Sequence, residues 1–381
     1  MVGLSNLPLL TLRGRRLNTR ERGTGPKSQM RRGIRESVAT ISHPGARSDF
    51  QILCDTFGKS RGGIELHAQN LAEGLRGLGH STTIRSSGSY MATGPGFEHH
   101  VIVEGVHRVA LMQLVKHALL RPARRPLSAT IFTHGSFYEE SHLRSRLAVG
   151  VDSALPHILG VRIFDGAVMS KILLAFDQVA VMCDAEGADL RGLFPLTAGR
   201  LFTSPNAWSD GPLTLGSDFV TPIPQPYLFA ASRVETRKNF EAVFKAIDGL
   251  DIGFILAGQD AGGLKRVLRC AANHPAVKFA YLGYLEESRK LAIESRALAT
   301  VLPSRVEGIP FAAIESLRLG VPAIVTSESY LPRWPGVYLC KPDPDGIRAA
   351  IHSVSAQLTQ PLPPPIPSLA SVCEALVDRL V

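Results

Sequence analysis

Two glutamates eight positions apart, Glu307 and Glu315, sit at the entrance of a helix in the stretch Leu302–Ile324. A buried apolar strand ends at Pro303, a loop carries Glu307, and a helix begins near Pro310. Proline is tolerated there because the first-turn N–H has no helical partner. Gly320 closes the helix and Pro322 leads into another strand. Glu307 therefore lies in a loop at the carboxyl edge of a sheet, where open α/β folds bind ligands. Glu315 lies over a turn further along the helix. Ionised carboxylates framing a helix start accept hydrogen bonds from hydroxyls, while the free N–H groups and dipole of that helix face an anion. Taken alone, the two would equally suit a helix cap and an exposed helical side chain, so their surroundings decide.

Other chemistries find little support. Gly58-Lys59-Ser60 resembles the end of a phosphate-binding P-loop, but position 53, where that loop needs its first glycine, is Leu53. No G-x-G-x-x-G follows the first strand, so a nicotinamide or flavin site is not expected. The twelve histidines include no H-E-x-x-H, and His99 and His100, adjacent on a strand, point to opposite faces; no metal site is expected. Five cysteines (Cys54, Cys183, Cys270, Cys340, Cys373) lie far apart without a C-x-x-C pair, which argues against a disulfide framework or a zinc knuckle and for a reducing cytoplasm.

The elements that must position these residues follow from composition and periodicity. At 45% apolar and 20% charged, 381 residues suffice for two or three domains with large cores. The formal charge of +9 invites a nucleic-acid reading. Residues 1–50, however, hold ten basic against three acidic residues, a surplus of seven, and the remaining body is nearly neutral. No nucleic-acid partner is expected. Residues 1–48 read as a basic, non-periodic tail; an organelle transit peptide or a gene start upstream of Met30 are alternatives. No run of 18 apolar residues and no signal peptide is recognised.

From Phe50 onward, apolar runs alternate with amphipathic segments. Phe50–Cys54 reads as a buried strand, Gly58–Gly63 as a glycine loop, and Ile64, Ala68, Leu71, Leu75 and Leu78 as one helix face. Strands at 101–103, 130–133 and 179–182 and helices near 107–120 and 184–193 complete a domain over 49–213. The Pro- and Gly-rich stretch Gly211–Pro226 reads as a linker. A second cycle then places strands at 227–232, 253–257, 277–281, 299–302 and 323–326, with helices near 238–249, 262–272, 286–296 and 311–319. This second domain runs over 214–360. A Pro-rich spacer and a short amphipathic helix occupy 361–381, the helix expected to pack on the first domain. The fold class is α/β, two Rossmann-like doubly wound parallel-sheet domains facing a cleft.

Glu-x7-Glu preceded by Pro303-Ser304 and followed by Gly320-Val321-Pro322-Ala323-Ile324-Val325 resembles the signature of glycosyltransferase family 4, the group 1 retaining glycosyltransferases of GT-B fold. The resemblance extends over most of residues 50–330. Gly62-Gly63-Ile64-Glu65 and Gly79-His80 resemble the family's glycine-loop helix and the approach to its second strand. Thr133-His134-Gly135 is similar to its His-Gly element, and Ser204-Pro205-Asn206 to the motif closing the first domain, with Ala207 in place of glycine. In the second half, Ala231-Ser232-Arg233, Lys238-Asn239, Leu256-Ala257-Gly258 and Tyr281-Leu282-Gly283 match in order. The sequence departs from the family at Arg318, where a small residue is common, and at Asp260-Ala261, which interrupts a glycine-rich loop.

The resemblance implies a nucleotide-sugar donor, UDP- or GDP-linked, and no cofactor or metal. By it, Arg233 and Lys238 contact the diphosphate, where charge-assisted hydrogen bonds offset the charge that builds on the leaving group. Glu307 holds hydroxyls of the donor sugar and Glu315 those of the ribose. Gly308, Ile309, Phe311 and Gly258 belong to the donor site, Ile309 and Phe311 through backbone N–H groups that Pro310 lacks. Gly62 and Gly63 allow close backbone approach by donor phosphates or acceptor. His134 lies near the reacting sugar or serves as a structural hydrogen-bonding residue. The motif names no enzyme nucleophile or general base.

Residues 106–126 carry Arg108, Lys116, Arg121, Arg124 and Arg125 without an acid, among Val109, Met112, Leu114, Val115 and Leu119. Such a segment either rests on anionic lipid, as suits a lipid-linked acceptor, or covers the sheet as a helix with a basic C-terminus. The expected protein is a cytoplasmic, metal-independent hexosyltransferase, at the inner face of the membrane if 106–126 docks there. It would transfer to a glycan or lipid-linked acceptor in cell-surface polysaccharide or glycolipid synthesis. The rivals are a nucleotide-sugar epimerase and a catalytically silent GT-B binding protein.

Overall fold

The apolar runs become strands, most of those with described side chains buried on both faces, and the strands assemble into two six-stranded parallel sheets in the computed structural model. The structure describes residues 47–54, 62–85, 99–103, 128–132, 173–174, 176–216, 220–305, 307–356 and 365–380. The basic tail up to residue 46, the loop Gly58–Arg61, the basic segment 106–126 and Thr133-His134-Gly135 lie outside them.

The first domain contributes β1 (Asp49–Leu53), α1 (Gly63–Gly77), β2 (Ser81–Arg85), β3 (His99–Val103), β4 (Ser128–Phe132), β5 (Gln178–Val181), α2 (Asp184–Leu193) and β6 (Leu201–Thr203). Its sheet order is β2-β1-β3-β4-β5-β6, every pair parallel. Phe50 and Ile52 of β1 meet Ala68, Leu71 and Leu75 of α1, the face that the spacing of apolar residues defines. His99 is buried and stacks on Phe50 at 4.9 Å.

The second domain contains β7 (Tyr227–Ala231), α3 (Glu241–Ile247), β8 (Gly253–Ala257), α4 (Leu264–Asn273), β9 (Phe279–Tyr281) and α5 (Glu287–Glu294). It continues with β10 (Ala299–Leu302), α6 (Phe311–Arg318), β11 (Ala323–Thr326), β12 (Val337–Cys340) and α7 (Pro344–Ala356). The sheet order β9-β8-β7-β10-β11-β12 is the doubly wound dinucleotide-fold order, whose direction of winding reverses between β7 and β10. Leu228 and Ala230 face the core under α3 and α7, whereas Tyr227 and Phe229 face Ile293 of α5. This period-2 division explains why the strands read as unbroken apolar runs.

The final helix, α8 (Leu369–Leu380), returns to the first domain, where Val372, Cys373 and Leu376 join the core beneath α1. Among the described residues no helix is long and apolar enough to cross a membrane.

Four elements fall outside the runs read from the sequence, one of them β2, an edge strand whose side chains are all half-buried. β6 is only three residues long, and β12 is an edge strand whose half-buried side chains give a weak apolar signal. α7 does carry a legible pattern in Ile347, Ala350, Ile351 and Val354. Helix α3 starts at Glu241 and not near 238, because Thr236–Lys238 form a 3-10 turn ended by Asn239 at φ 56°.

Candidate active site

The site begins where β7 and β10 part. At the end of β10 the chain leaves the sheet through Pro303 and Ser304, and Glu307 bridges to Ser329, its N–H donating to the Glu328 carbonyl at 3.0 Å. At the end of β7 the chain passes Arg233 and forms the 3-10 turn bearing Lys238. Asn239 fastens the two strand ends together. Its Nδ2 donates to the carbonyls of Pro303 and Pro342, both at 3.0 Å, and its Oδ1 accepts from Arg305 at 2.9 Å. The left-handed backbone that Asn tolerates lets it do so.

This geometry joins Lys238 to Glu307, 69 positions apart: Nζ donates to Oε2 at 2.5 Å. Ser304 Oγ donates to the same oxygen at 2.9 Å, and Arg237 Nη1 lies 3.6 Å away while its other nitrogen binds Glu235 at 2.8 Å. Both hydrogen bonds go to Oε2, and among the described residues Glu307 Oε1 takes none. Burial raises the Glu307 carboxyl, but Lys238 and Arg237 outweigh it and hold the group down at about 2. Burial lowers the Lys238 ammonium despite its partner. Glu307 is therefore a carboxylate throughout the physiological range.

Arg233 differs from this cluster. Its half-buried guanidinium has no hydrogen bond or ion pair among the described residues, which leaves a free cation at the crevice. Beside it, Gly258 ends β8 at φ 130°, and a Cβ there would lie 1.8 Å from the Ser232 carbonyl oxygen, so only glycine fits. Asp260 is not an interruption in this loop: its Oδ1 accepts from the N–H groups of Gly262 and Leu264 and so organises the start of α4.

Glu315 is placed apart from Glu307, on the face of α6 that meets α5. It is buried, and Lys290 Nζ donates to its Oε1 at 2.7 Å. Burial dominates here, and the carboxyl is raised to about 7. One helix and the loop before it thus bear two carboxyls with pKa values driven in opposite directions, a permanent acceptor and one poised near neutrality.

The start of α6 faces the first domain. A Cβ on Gly63 would approach the Phe311 ring at 3.0 Å, so the close contact at that glycine is with an aromatic side chain. The Gly62 N–H is committed to Glu65 Oε2 at 2.9 Å. The Ile309 carbonyl accepts from Asn206 at 3.3 Å, the Gly308 carbonyl from the Tyr330 N–H at 3.2 Å, and Tyr330 itself reaches Asp189 of α2 at 2.7 Å. His134 lies outside the described residues.

Several residues of this arrangement escaped the motif reading. Arg237 was legible only as a neighbour of Lys238. Lys290 and Trp208 carry no spacing signal, and Ser304 was legible as part of the motif but not as a partner of Glu307. Trp208 stacks on Phe311 at 5.1 Å, and the Arg318 guanidinium lies over the Trp208 ring, 5.6 Å from its centroid, while donating to the carbonyls of Ser209 at 3.0 Å and Gly211 at 2.7 Å. Arg318, out of pattern in the sequence, fastens α6 to the interdomain segment.

Comparison with known proteins agrees with this architecture. Residues 218–334 match the family described as Glycosyl transferases group 1. A search of curated protein sequences finds no match. Among solved structures, sucrose-phosphate synthase from Thermosynechococcus elongatus superposes with a TM-score of 0.65 at 16% identity, covering 88% of this chain and 95% of that one. Anabaena HepE in complex with UDP and glucose superposes at 0.59 and 12% identity, with the same coverage. At these identities the likeness speaks for the fold, which is GT-B. The domain that bears Arg233, Lys238, Glu307 and Glu315 is thus the part of the chain that matches glycosyl transferases group 1.

Proposed function

We propose that this protein is a retaining hexosyltransferase that takes a nucleotide-sugar donor, UDP- or GDP-linked, in its second domain and a glycan or lipid-linked acceptor at its first. The observation that carries the reading is the crevice between β7 and β10. There, Arg233 follows the end of β7, half-buried and without an ion pair among the described residues, and an ionised Glu307 follows the end of β10, ahead of the N-terminus of α6. A nucleotide sugar presents a diphosphate to the first and sugar hydroxyls to the second. The Anabaena relative, solved with UDP-glucose, supports a uridine donor as the first to test.

In the reaction, the bond between the anomeric carbon and the diphosphate oxygen breaks and the electron pair leaves with the nucleoside diphosphate. A new bond forms from the acceptor oxygen on the same face of the sugar, and the acceptor proton is released. Arg233 and the helix dipole stabilise the departing charge, worth roughly 1.5–3 kcal/mol for each charge-assisted hydrogen bond. With cations of the chain in that role, the reaction is proposed to need no metal. Lys238, held by Glu307, completes the positive rim, and Glu307 Oε1 orients the sugar.

The proposed setting is the cytoplasm at the inner membrane face, in synthesis of cell-surface polysaccharide or glycolipid. The test is incubation with UDP-, GDP- and dTDP-sugars and membrane extract, following sugar transfer and nucleotide release with and without chelator. Saturable nucleotide binding without turnover of any donor would replace this reading with that of a silent binding protein.

A further inference from the structure

Behind Glu315 lies a second buried carboxyl. Glu294, the last residue of α5, is fully buried; its Oε1 is 2.8 Å from Thr300 Oγ1 of β10, and its Oε2 has no hydrogen-bond partner. Thr300 Oγ1 lies 2.9 Å from Ser316 Oγ, which lies 3.0 Å from the Val321 carbonyl. Thr300 Oγ1 donates to Glu294, and Ser316 Oγ donates to Thr300 and to the Val321 carbonyl. Burial and, after it, the nearby Glu315 hold the Glu294 carboxyl well above its ordinary value, so it is a neutral acid. An ionised Glu294 would leave a buried carboxylate oxygen bare beside the charge of Glu315.

The groups facing Glu315 among the described residues are Glu287, Lys290 and Glu294 of α5, with Thr300 and Ser316 as neutral hydroxyls behind. Lys290 is the one cation in contact: it donates to Glu315 at 2.7 Å and to both oxygens of Glu287 at 3.0 Å.

We propose that Lys290 is a positioning residue of the donor site, keeping Glu315 charged against its burial and Glu287 so that ribose hydroxyls meet a carboxylate. This rests on the reading of Glu315 as the ribose ligand. A carboxylate accepts from two vicinal hydroxyls, whereas a protonated carboxyl gives up one of those places. Lys290 thereby makes recognition of a ribonucleotide depend on pH through a residue that need not touch the ligand.

The experiment measures binding of UDP and 2′-deoxy-UDP, or GDP and 2′-deoxy-GDP if only the guanine nucleotide binds, between pH 5.5 and 9. In the wild type the ribonucleotide is preferred by about ten-fold or more, as for a hydrogen bond to a charged group. The preference grows as pH rises through about 7, where Glu315 ionises. Glu315→Gln removes it. In Lys290→Gln, which keeps a donor and loses only the charge, the midpoint moves upward by about one to three pH units. Lys290→Arg restores it.

Glu287→Gln, at an exposed position that shares Lys290 with Glu315 and adjoins Glu315 itself, moves the midpoint downward. The opposite shifts separate charge control from structural damage, and the Glu287 variant stands as the test if Lys290→Gln does not fold. An unchanged midpoint in Lys290→Gln, or in Glu287→Gln where that is the variant available, with the preference intact, overturns the role of Lys290. No preference in the wild type, or one that survives in Glu315→Gln, overturns the ribose assignment beneath it.

Discussion

Replacing Glu307 by glutamine removes the charge that two cations were assembled to meet, and the structure gives the cost. A carboxyl held at about 2 instead of the ordinary 4.5 is about 3 kcal/mol more favourable ionised in the fold than in the unfolded chain, at 1.36 kcal/mol per pH unit. Because the folded value is depressed, that stability is fully present above 4.5 and is lost as pH falls from there through about 2. Glu307→Gln mimics the protonated state. It is expected to lower unfolding stability by about 3 kcal/mol at pH 7, the scale on which stranding a buried cation is costly. The gap to wild type should stay constant down to pH 5 and narrow steadily below. Urea unfolding followed by fluorescence of the two tryptophans, Trp208 and Trp334, from pH 3 to 8 measures it. A gap under about 1 kcal/mol at pH 7, or one that does not shrink between pH 5 and pH 3, refutes the argument that Lys238 and Arg237 hold this carboxylate. The same variant is expected to lose sugar transfer, since its open oxygen no longer carries charge.

Arg233→Ala should behave in the opposite way, weakening nucleoside diphosphate binding by roughly 10- to 150-fold in calorimetry while leaving the unfolding midpoint unchanged. Its guanidinium supports nothing else among the described residues, so a large stability loss would contradict the assignment. Gly258→Ala should destabilise by more than about 3 kcal/mol, because the new Cβ meets the Ser232 carbonyl at 1.8 Å in a backbone region that suits glycine. Near-normal unfolding of that variant would show that the two strand ends can separate. Arg318→Ala should cost about 1–2 kcal/mol by releasing two backbone carbonyls and a cation–π contact, and Arg318→Lys should not restore it fully, since one ammonium cannot replace the planar fork. Thermal melts of the three proteins decide this.

Much of the fold was legible because each strand and helix leaves a periodic trace in its own residues. The runs 253–257, 299–302 and 323–326 coincide with β8, β10 and β11 end to end, as strands buried on both faces must be apolar throughout. The helix holding Glu315 was framed by Pro310 and Gly320, residues that act within a few positions of themselves. Edge elements such as β12 left a weaker trace because half of each side chain meets water.

The sequence by itself marked Glu307, Glu315, Arg233 and Lys238, because their motifs resemble those of group 1 glycosyltransferases and sit around strand ends and a helix start. Only the tertiary structure decided what each is paired with. The reversal of strand order places β7 beside β10, and with it Lys238 against Glu307 across 69 positions of chain. Packing of α5 on α6 gives Glu315 its cation, and the return of the chain through residues 206–211 gives Arg318 its partners. Two glutamates on one motif thus differ in charge because burial and neighbours, not spacing, set a carboxyl's proton affinity.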